Sequence, residues 1–398
     1  MKKLLVVPLL AASIFSCNTK TENNTSSANI SFAAFEERFL DAYWKQYPAA
    51  SINIGYGKYY EHLAVPGSTA VAANIAFSKQ WTDSLEKMDY KKLSDNDKIS
   101  FNIIKHQLAS DNWYLSVFKE YEWNPAVYNI SGECYYIITQ PYAPLDERLK
   151  TLSMRLQNAD AYYKAAFTML HNPTKEHTEM AASQNEGGLT VFGKALTDSI
   201  NKARLTDAEK NALKANVAKT VVAIKGYVAS LKNIAADKNY PFRNFRIGKK
   251  LFEEKFGYDL ATDFTPQEIY DRAVKDKKMY YEHMYHLADS LWPKYFASQP
   301  RPKDTIAIIQ SVVGKISLQH PAPEHFFDSL VSHVYQLKKF VVEKNLFDFD
   351  TTYPIIVRLM PEYARGFAAA SAEFTPPYQK QRATYYNIDD IAAYPAAK

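Results

Sequence analysis

Glycine is scarce in this chain, 12 of 398 residues, and neither a Gly-x-x-x-x-Gly-Lys-Ser/Thr loop nor a Gly-x-Ser-x-Gly elbow occurs. Phosphate-cradling loops and the usual serine-hydrolase geometry therefore lose their main supports. None of the nine histidines is followed by glutamate. That removes the His-Glu-x-x-His helix, which sets two zinc ligands on one face with the glutamate as general base. Beyond the first residues no apolar run approaches the roughly 20 needed to span a bilayer. Neither sign of charge dominates, with 48 Lys+Arg against 43 Asp+Glu and no basic stripe, so nucleic acid is not a favoured partner. Cysteine is limited to Cys17 and Cys134. What is plentiful is aromatic surface, 14% of the chain including 29 tyrosines, which suits buried or cleft-lining roles.

The N-terminus carries a positive pair, Lys2 and Lys3, then an apolar stretch over 4–15 too short to span, then Ser16-Cys17, the pattern of an export signal. Ile14-Phe15-Ser16-Cys17 resembles a bacterial lipoprotein signal, in which the cysteine is lipidated and becomes the mature N-terminus. The expected location is an exported protein held to a membrane by lipid, on its periplasmic or cell-surface face. Cleavage at Cys17 would leave 46 positive against 43 negative charges. Cys134 would then have no partner for an intramolecular disulfide. Residues 18–31, rich in Asn, Thr and Ser, lack the apolar surface that offsets ordering entropy and read as a tether.

From Phe32 helical periodicity dominates: Phe32, Phe35, Phe39, Leu40 and Tyr43 recur at helical spacing up to Tyr47-Pro48. Ser94 ahead of Asp95 and Asp97 marks a second start, with Leu93, Ile99, Phe101, Ile104 and Leu108 on one stripe. Thr206-Asp207-Ala208-Glu209 and Thr265-Pro266-Gln267-Glu268 both fit the capping box. The latter opens a helix with Ile269, Ala273, Tyr280, Met284, Leu287 and Leu291 on one stripe, expected to end before Pro293. Further helices are predicted over 145–171, 188–203 and 323–344. Pro376-Pro377 and the run Ala383-Thr384-Tyr385-Tyr386-Asn387-Ile388 favour extended structure. The fold class read from this pattern is mainly α: an irregular multi-helix bundle with a short extended segment near the C-terminus, since no 34-residue repeat is present.

Few residues suggest chemistry. His283 and His286, three apart on a predicted helix, could share a metal, but beside an apolar stripe they read as packed, hydrogen-bonded imidazoles. His171, Glu176, His177 and Glu179 around Asn172-Pro173 read as solvated charge at a helix connection. Asp389-Asp390 could pair as carboxylates or begin a helix. Trp44, Trp81, Trp113, Trp123 and Trp292 are scattered beside apolar positions, as core residues are.

Phe-Glu-Glu-Arg-Phe-Leu-Asp-Ala-Tyr-Trp-Lys-Gln-Tyr-Pro over 35–48 with Gly55 following, the Thr265 helix start, Met360-Pro361-Glu362-Tyr363, Pro376-Pro377 and Tyr385-Tyr386-Asn387 occur in an order and spacing that resembles the bacterial family called domain of unknown function 885. The resemblance implies an exported or lipid-anchored, largely helical protein similar to zinc metallopeptidases, with zinc in full-length members on a helix bearing His-Glu-x-x-Pro-Gly-His. Tyr385-Tyr386-Asn387 matches the stretch that precedes that helix, and the sequence reaches Lys398 without one. No catalytic or metal-binding residue carries over, so no cofactor is expected in this chain. What carries over is Thr384, Tyr385, Tyr386 and Asn387, either as a substrate-binding strand that would pair with peptide backbone or as an internal hairpin strand. The expected organisation is a signal over 1–17, a tether over 18–31, a helical domain over 32–371 and an extended segment over 372–398. The expected function is the front portion of a metallopeptidase-like hydrolase, inactive alone. The alternative is a helical lipoprotein that binds peptide or glycan without catalysis.

Overall fold

A computed structural model of the chain describes residues 31–297, 299–360, 369–379 and 383–389. The signal, Cys17, the tether other than Ser31, Pro361, Glu362, Tyr363 and Asp390 lie outside the described residues.

Helix α1 (Phe32–Gln46) starts on the hydroxyl of Ser31, which accepts the Ala34 N–H, and is followed by the short α2 (Pro48–Asn53). Phe32, Phe35 and Phe39 of α1 pack with Leu85 of α3 (Ser68–Leu85) and with Phe101, Ile104 and Leu108 of α4 (Asp95–Trp113). The Ser94 hydroxyl caps α4 by accepting the Asp97 N–H. Ile99, expected on that stripe, is exposed instead. Trp81 meets Phe35 and Phe39 edge-on. Beyond α4 the backbone widens into a π turn over Tyr114–Phe118 and ends on left-handed Lys119, the sort of local irregularity that re-aims a chain.

The larger core is built from α2 and the helices after α5 (Glu120–Trp123). These are α6 (Ser131–Thr139), α7 (Leu145–Leu156), α8 (Ala159–Thr168), α9 (Lys175–Gly188), α10 (Lys194–Lys202) and α11 (Asp207–Ala236). Helix α11 lies along α7, α8 and α9 and buries Leu213, Ile224, Tyr227, Val228 and Leu231 among them. The helix expected over 145–171 is two helices, because Gln157 N–H closes back three residues onto Met154 and Asn158 leaves the helical region. The helix expected over 188–203 begins only at Lys194, extended Gly193 separating it from a 3₁₀ turn over Leu189–Phe192. Within this core the Arg155 guanidinium, 1% exposed, donates to Glu133 at 2.5 Å, to the Tyr60 carbonyl at 3.3 Å and to the His62 carbonyl.

Helix α12 (Lys249–Leu260) leans on an aromatic cluster of Trp113, Phe118 and Trp123 through Leu251 and Tyr258. Helix α13 (Pro266–Phe296) packs with α14 (Thr305–Ile316) around Ala288, Trp292, Ile308, Ile309 and Val312. It does not stop before Pro293. The carbonyl that proline leaves without an i+4 donor is that of Asp289, and Arg301 reaches it at 3.5 Å while pairing with the Asp289 carboxylate at 2.7 Å. The expected stripe is not a core face either: Ile269, Tyr280, Met284 and Leu287 are exposed. Helix α15 (Phe326–Glu343) buries no residue.

A mixed three-stranded sheet follows, with β1 (Ile355–Leu359), β2 (Ala370–Glu373) and β3 (Thr384–Ile388) in the order β1-β3-β2. β1 runs parallel and β2 antiparallel to the central β3. The fold is mainly α with this sheet near the C-terminus; β1 lies ahead of residue 372, β2 spans it and β3 follows it. The segment after β2 docks on the helical body. Tyr378 N–H donates to the Ile54 carbonyl at 3.3 Å, and its ring meets Tyr56 edge-on. Gly55 has φ +77°, and a Cβ there would lie 2.8 Å from both Pro376 and Gln379. Gly55 and Pro376, over 300 positions apart, thus meet for want of a side chain.

Candidate functional site

Strand β3 forms where β-branched and aromatic residues are concentrated. Its side chains divide between two faces. Tyr385 and Asn387 share one face with Ile356 and Arg358 of β1 and with Ser371 and Glu373 of β2; Thr384, Tyr386 and Ile388 take the other. The four predicted substrate residues therefore form no single surface.

On the first face Arg358 joins all three strands. Its guanidinium lies 3.8 Å from the centre of the Tyr385 ring. Nε donates to Asn387 Oδ1 at 2.7 Å, and Nη2 to Glu373 Oε2 at 2.9 Å. Asn387 Nδ2 donates onward to Ser371 Oγ at 3.3 Å. Gln140, which closes α6, donates to the other Glu373 oxygen at 3.2 Å. The chain Gln140–Glu373–Arg358–Asn387–Ser371 fixes the shelf to the helical body. It is a holding device with charge balanced inside it.

The role expected of β3 changes with this topology. Backbone pairing with a peptide needs a strand edge with unpaired N–H and C=O groups, and β3 is bonded to strands on both sides. Pairing by β3 is thereby excluded, and among the described residues the sheet's outer edges belong to β1 and β2. Arg358, Glu373, Gln140 and the whole of β1 were not read from sequence, although Ile355-Ile356-Val357 after Pro354 is a β-branched run that points to a strand.

The histidine clusters do not assemble a metal centre. His283 and His286 are both exposed on α13, not packed beside a core stripe. His177 Nδ1 sits 2.6 Å from the Thr174 hydroxyl, with its ring against Trp123, while His171 holds the chain by donating its backbone N–H to the Glu122 carbonyl. Among the described residues no three His, Cys, Asp or Glu side chains are placed to hold a metal. Asp389 is buried and its N–H donates to the Ala369 carbonyl at 2.9 Å. Cys134 is fully buried, which pushes its thiol up to about 12 and leaves it unreactive. Trp113, Trp123 and Trp292 are buried and Trp81 packs in the α1–α3–α4 core, whereas Trp44 donates to the Tyr378 hydroxyl at 3.5 Å.

The sequence matches the model of the bacterial protein family of unknown function DUF885 over residues 48–398. The chain belongs to that family. No curated protein matches it. Among solved structures it is similar to a protein from Shewanella oneidensis described as a lipoprotein of unknown function, at 32% identity and a TM-score of 0.78, over 92% of this chain and 66% of that one. It also shares a fold with a protein from Colwellia psychrerythraea described as a lipoprotein, at 12% identity and a TM-score of 0.60, over 90% of this chain and 68% of that one. The chain thus spans just under two thirds of the length of the Shewanella protein. No helix of the described residues is long and apolar enough to cross a membrane.

Proposed function

We propose that this chain is an exported lipoprotein, anchored through Cys17, whose sheet and adjoining helices form one wall of a peptide-binding cleft in a protein similar to zinc metallopeptidases. The observation that carries the reading is the braced shelf, a small sheet locked to the helical body through Gln140, Glu373 and Arg358 with strand edges at β1 and β2. A peptide added along either edge gains backbone hydrogen bonds without reordering the protein. The relatives described as lipoproteins and the family membership support the anchoring. Chemistry on the peptide would need metal ligands beyond the described residues.

A second reading, peptide binding with no chemistry, is favoured by the internally balanced Arg358 network. One pair of measurements separates the two. Zinc content and peptide hydrolysis are measured on this chain alone and on a polypeptide that also carries the third of the Shewanella protein left uncovered by the match. The first reading expects neither property in the chain alone and both together in the longer polypeptide; peptide binding without zinc or turnover in either establishes the second. For the anchor, Cys17→Ser is expected to move the protein from the membrane to the soluble exported fraction. Unchanged fractionation with no acyl mass on the N-terminal peptide would overturn it.

A further inference from the structure

The connection from α11 to α12 and the first turn of α12, residues 238–252, hold five basic residues, Lys238, Arg243, Arg246, Lys249 and Lys250, and no acidic one. Arg243 is drawn in over the Trp123 ring at 5.0 Å. The other four are exposed, and among the described residues the one ion pair they make is that of Lys249 with Glu253, at 3.7 Å. Apolar side chains stand among these charges. Helix α12 turns Leu251 and Tyr258 to the cluster of Trp113, Phe118 and Trp123, whereas Phe252, Phe256 and Leu260 recur every four residues and so share another face. Phe252 and Leu260 are 49% and 55% exposed, and Phe245, just ahead of the helix, 46%. The patch also lies within reach of the N-terminal segment. Phe32 packs on Phe101 of α4, and α12 runs back along the same helix, with the Tyr258 carbonyl 2.8 Å from His106 Nε2 and Glu254 accepting from Trp113 at 2.9 Å. Phe101 to Trp113 is about 18 Å of helix, and residues 18–31 span at most about 50 Å.

We propose that this patch docks on an anionic lipid surface, a membrane contact additional to the anchor at Cys17. Arg246, Lys249 and Lys250 meet headgroup phosphates while Phe245, Phe252 and Leu260 enter the boundary with the acyl chains, as in an interfacial amphipathic helix. Charge complementarity selects that surface. With these five residues set aside the chain's basic and acidic residues balance, 43 to 43, so the whole excess of positive charge equals what this one segment carries. Five cations are too few for a nucleic-acid stripe, and an aliphatic residue in line with the phenylalanines suits acyl chains better than stacked bases.

The chain over 18–398, which retains every described element, is titrated with vesicles of phosphatidylcholine alone and of phosphatidylcholine mixed with phosphatidylglycerol. The acyl group then plays no part, and the outcome is independent of the anchor at Cys17. Binding to the anionic vesicles is expected to be at least about tenfold tighter than to the neutral ones, and to weaken with salt. Changing Arg246, Lys249 and Lys250 together to Gln is expected to weaken it at least about tenfold, since each cation near an anionic surface is worth about fivefold. The same change at Lys214, Lys219 and Lys225, which are exposed on α11, removes equal charge and should weaken it far less. Phe252→Ser should also weaken binding while the protein keeps its melting transition. No binding to anionic vesicles at low salt, equal binding to neutral ones, equal losses in the two triple variants, undiminished binding in folded Phe252→Ser, or displacement by single-stranded DNA at equal phosphate concentration would each overturn the proposal.

Discussion

Helices α11 and α13 are near twins in sequence terms: 30 and 31 residues long, each opened by a Thr-x-x-Glu capping box in which the threonine hydroxyl and the glutamate carboxylate satisfy one another's backbone N–H groups. Their fates differ. Helix α11 buries Leu213, Thr220, Ile224, Tyr227, Val228 and Leu231 against three neighbours, whereas α13 buries only Ala288 and Trp292, near its far end and against α14. Caps and propensity decide that a helix forms and where it starts; they are silent on whether anything covers it. The same contrast divides the molecule. Residues up to the end of α11 hold nearly all the buried apolar side chains, and α13, α14, α15 and the sheet present Tyr280, Leu287, Ile316, Leu337, Phe340 and Ile356 to solvent.

The sharpest test of that division compares two arginines. Arg155→Ala leaves the Glu133 carboxylate and two carbonyls without their donor in the core, and is expected to cost about 3–5 kcal/mol. Arg358 is paired just as directly, but its side chain is 35% exposed, so Arg358→Ala should cost no more than about 1 kcal/mol. Urea unfolding of both variants reads the difference, and equal losses would show the sheet to be as integral as the core.

Leucines sharpen the comparison next. Leu149, fully buried in α7, should lose about 2–5 kcal/mol on change to alanine. Leu287, 62% exposed on α13, should change stability by no more than about 0.5 kcal/mol. A core-sized loss at Leu287 would mean that the α13 face is covered in solution, and sedimentation would then reveal an associated species.

The smallest effect concerns the capping glutamates. Glu209 is held down to about 2, chiefly by the Lys150 ammonium at 2.9 Å from α7 and then by the Thr206 N–H and hydroxyl. Glu268 is also lowered, but by its own cap, Thr265. A carboxylate whose folded value lies below its unfolded one contributes stability above the unfolded value, near 4.5, and loses it as pH falls towards 2. Melting temperature followed from pH 5 to 2 should therefore fall less steeply in Glu209→Gln than in the parent chain, with a smaller change in Glu268→Gln. Equal changes would show that Lys150 adds nothing to the cap of α11.

These contrasts also explain what could be read from sequence. The starts of α1, α4, α11 and α13 are written in side chains within four residues of the cap, and all four are where the sequence places them. The stop at Pro293 is misread because its compensation, Arg301, lies beyond the helix. Strand β3 is legible from its own residues, but its central position is not: β1 pairs with it from 29 positions upstream, and parallel pairing leaves no turn signal between partners. Likewise Arg358 gives no hint of its role until Asn387 and Glu373 are brought beside it, and nothing local distinguishes Arg155 from the exposed basic residues around it.

The strand order β1-β3-β2 carries a consequence for how the molecule is made. Among the described strands the one that pairs with both of the others is the last, so β1 and β2 emerge and wait without it until residues 384–388 exist. The Tyr378–Ile54 bond that seats this region spans 324 positions, and contacts of such long sequence separation form late. A protein delivered across a membrane as an unfolded thread from its N-terminus would therefore consolidate its α1–α11 body first and close the sheet onto it last. The interval before closure is when the apolar faces of β1 and α15 are most open to capture by chaperones or to self-association.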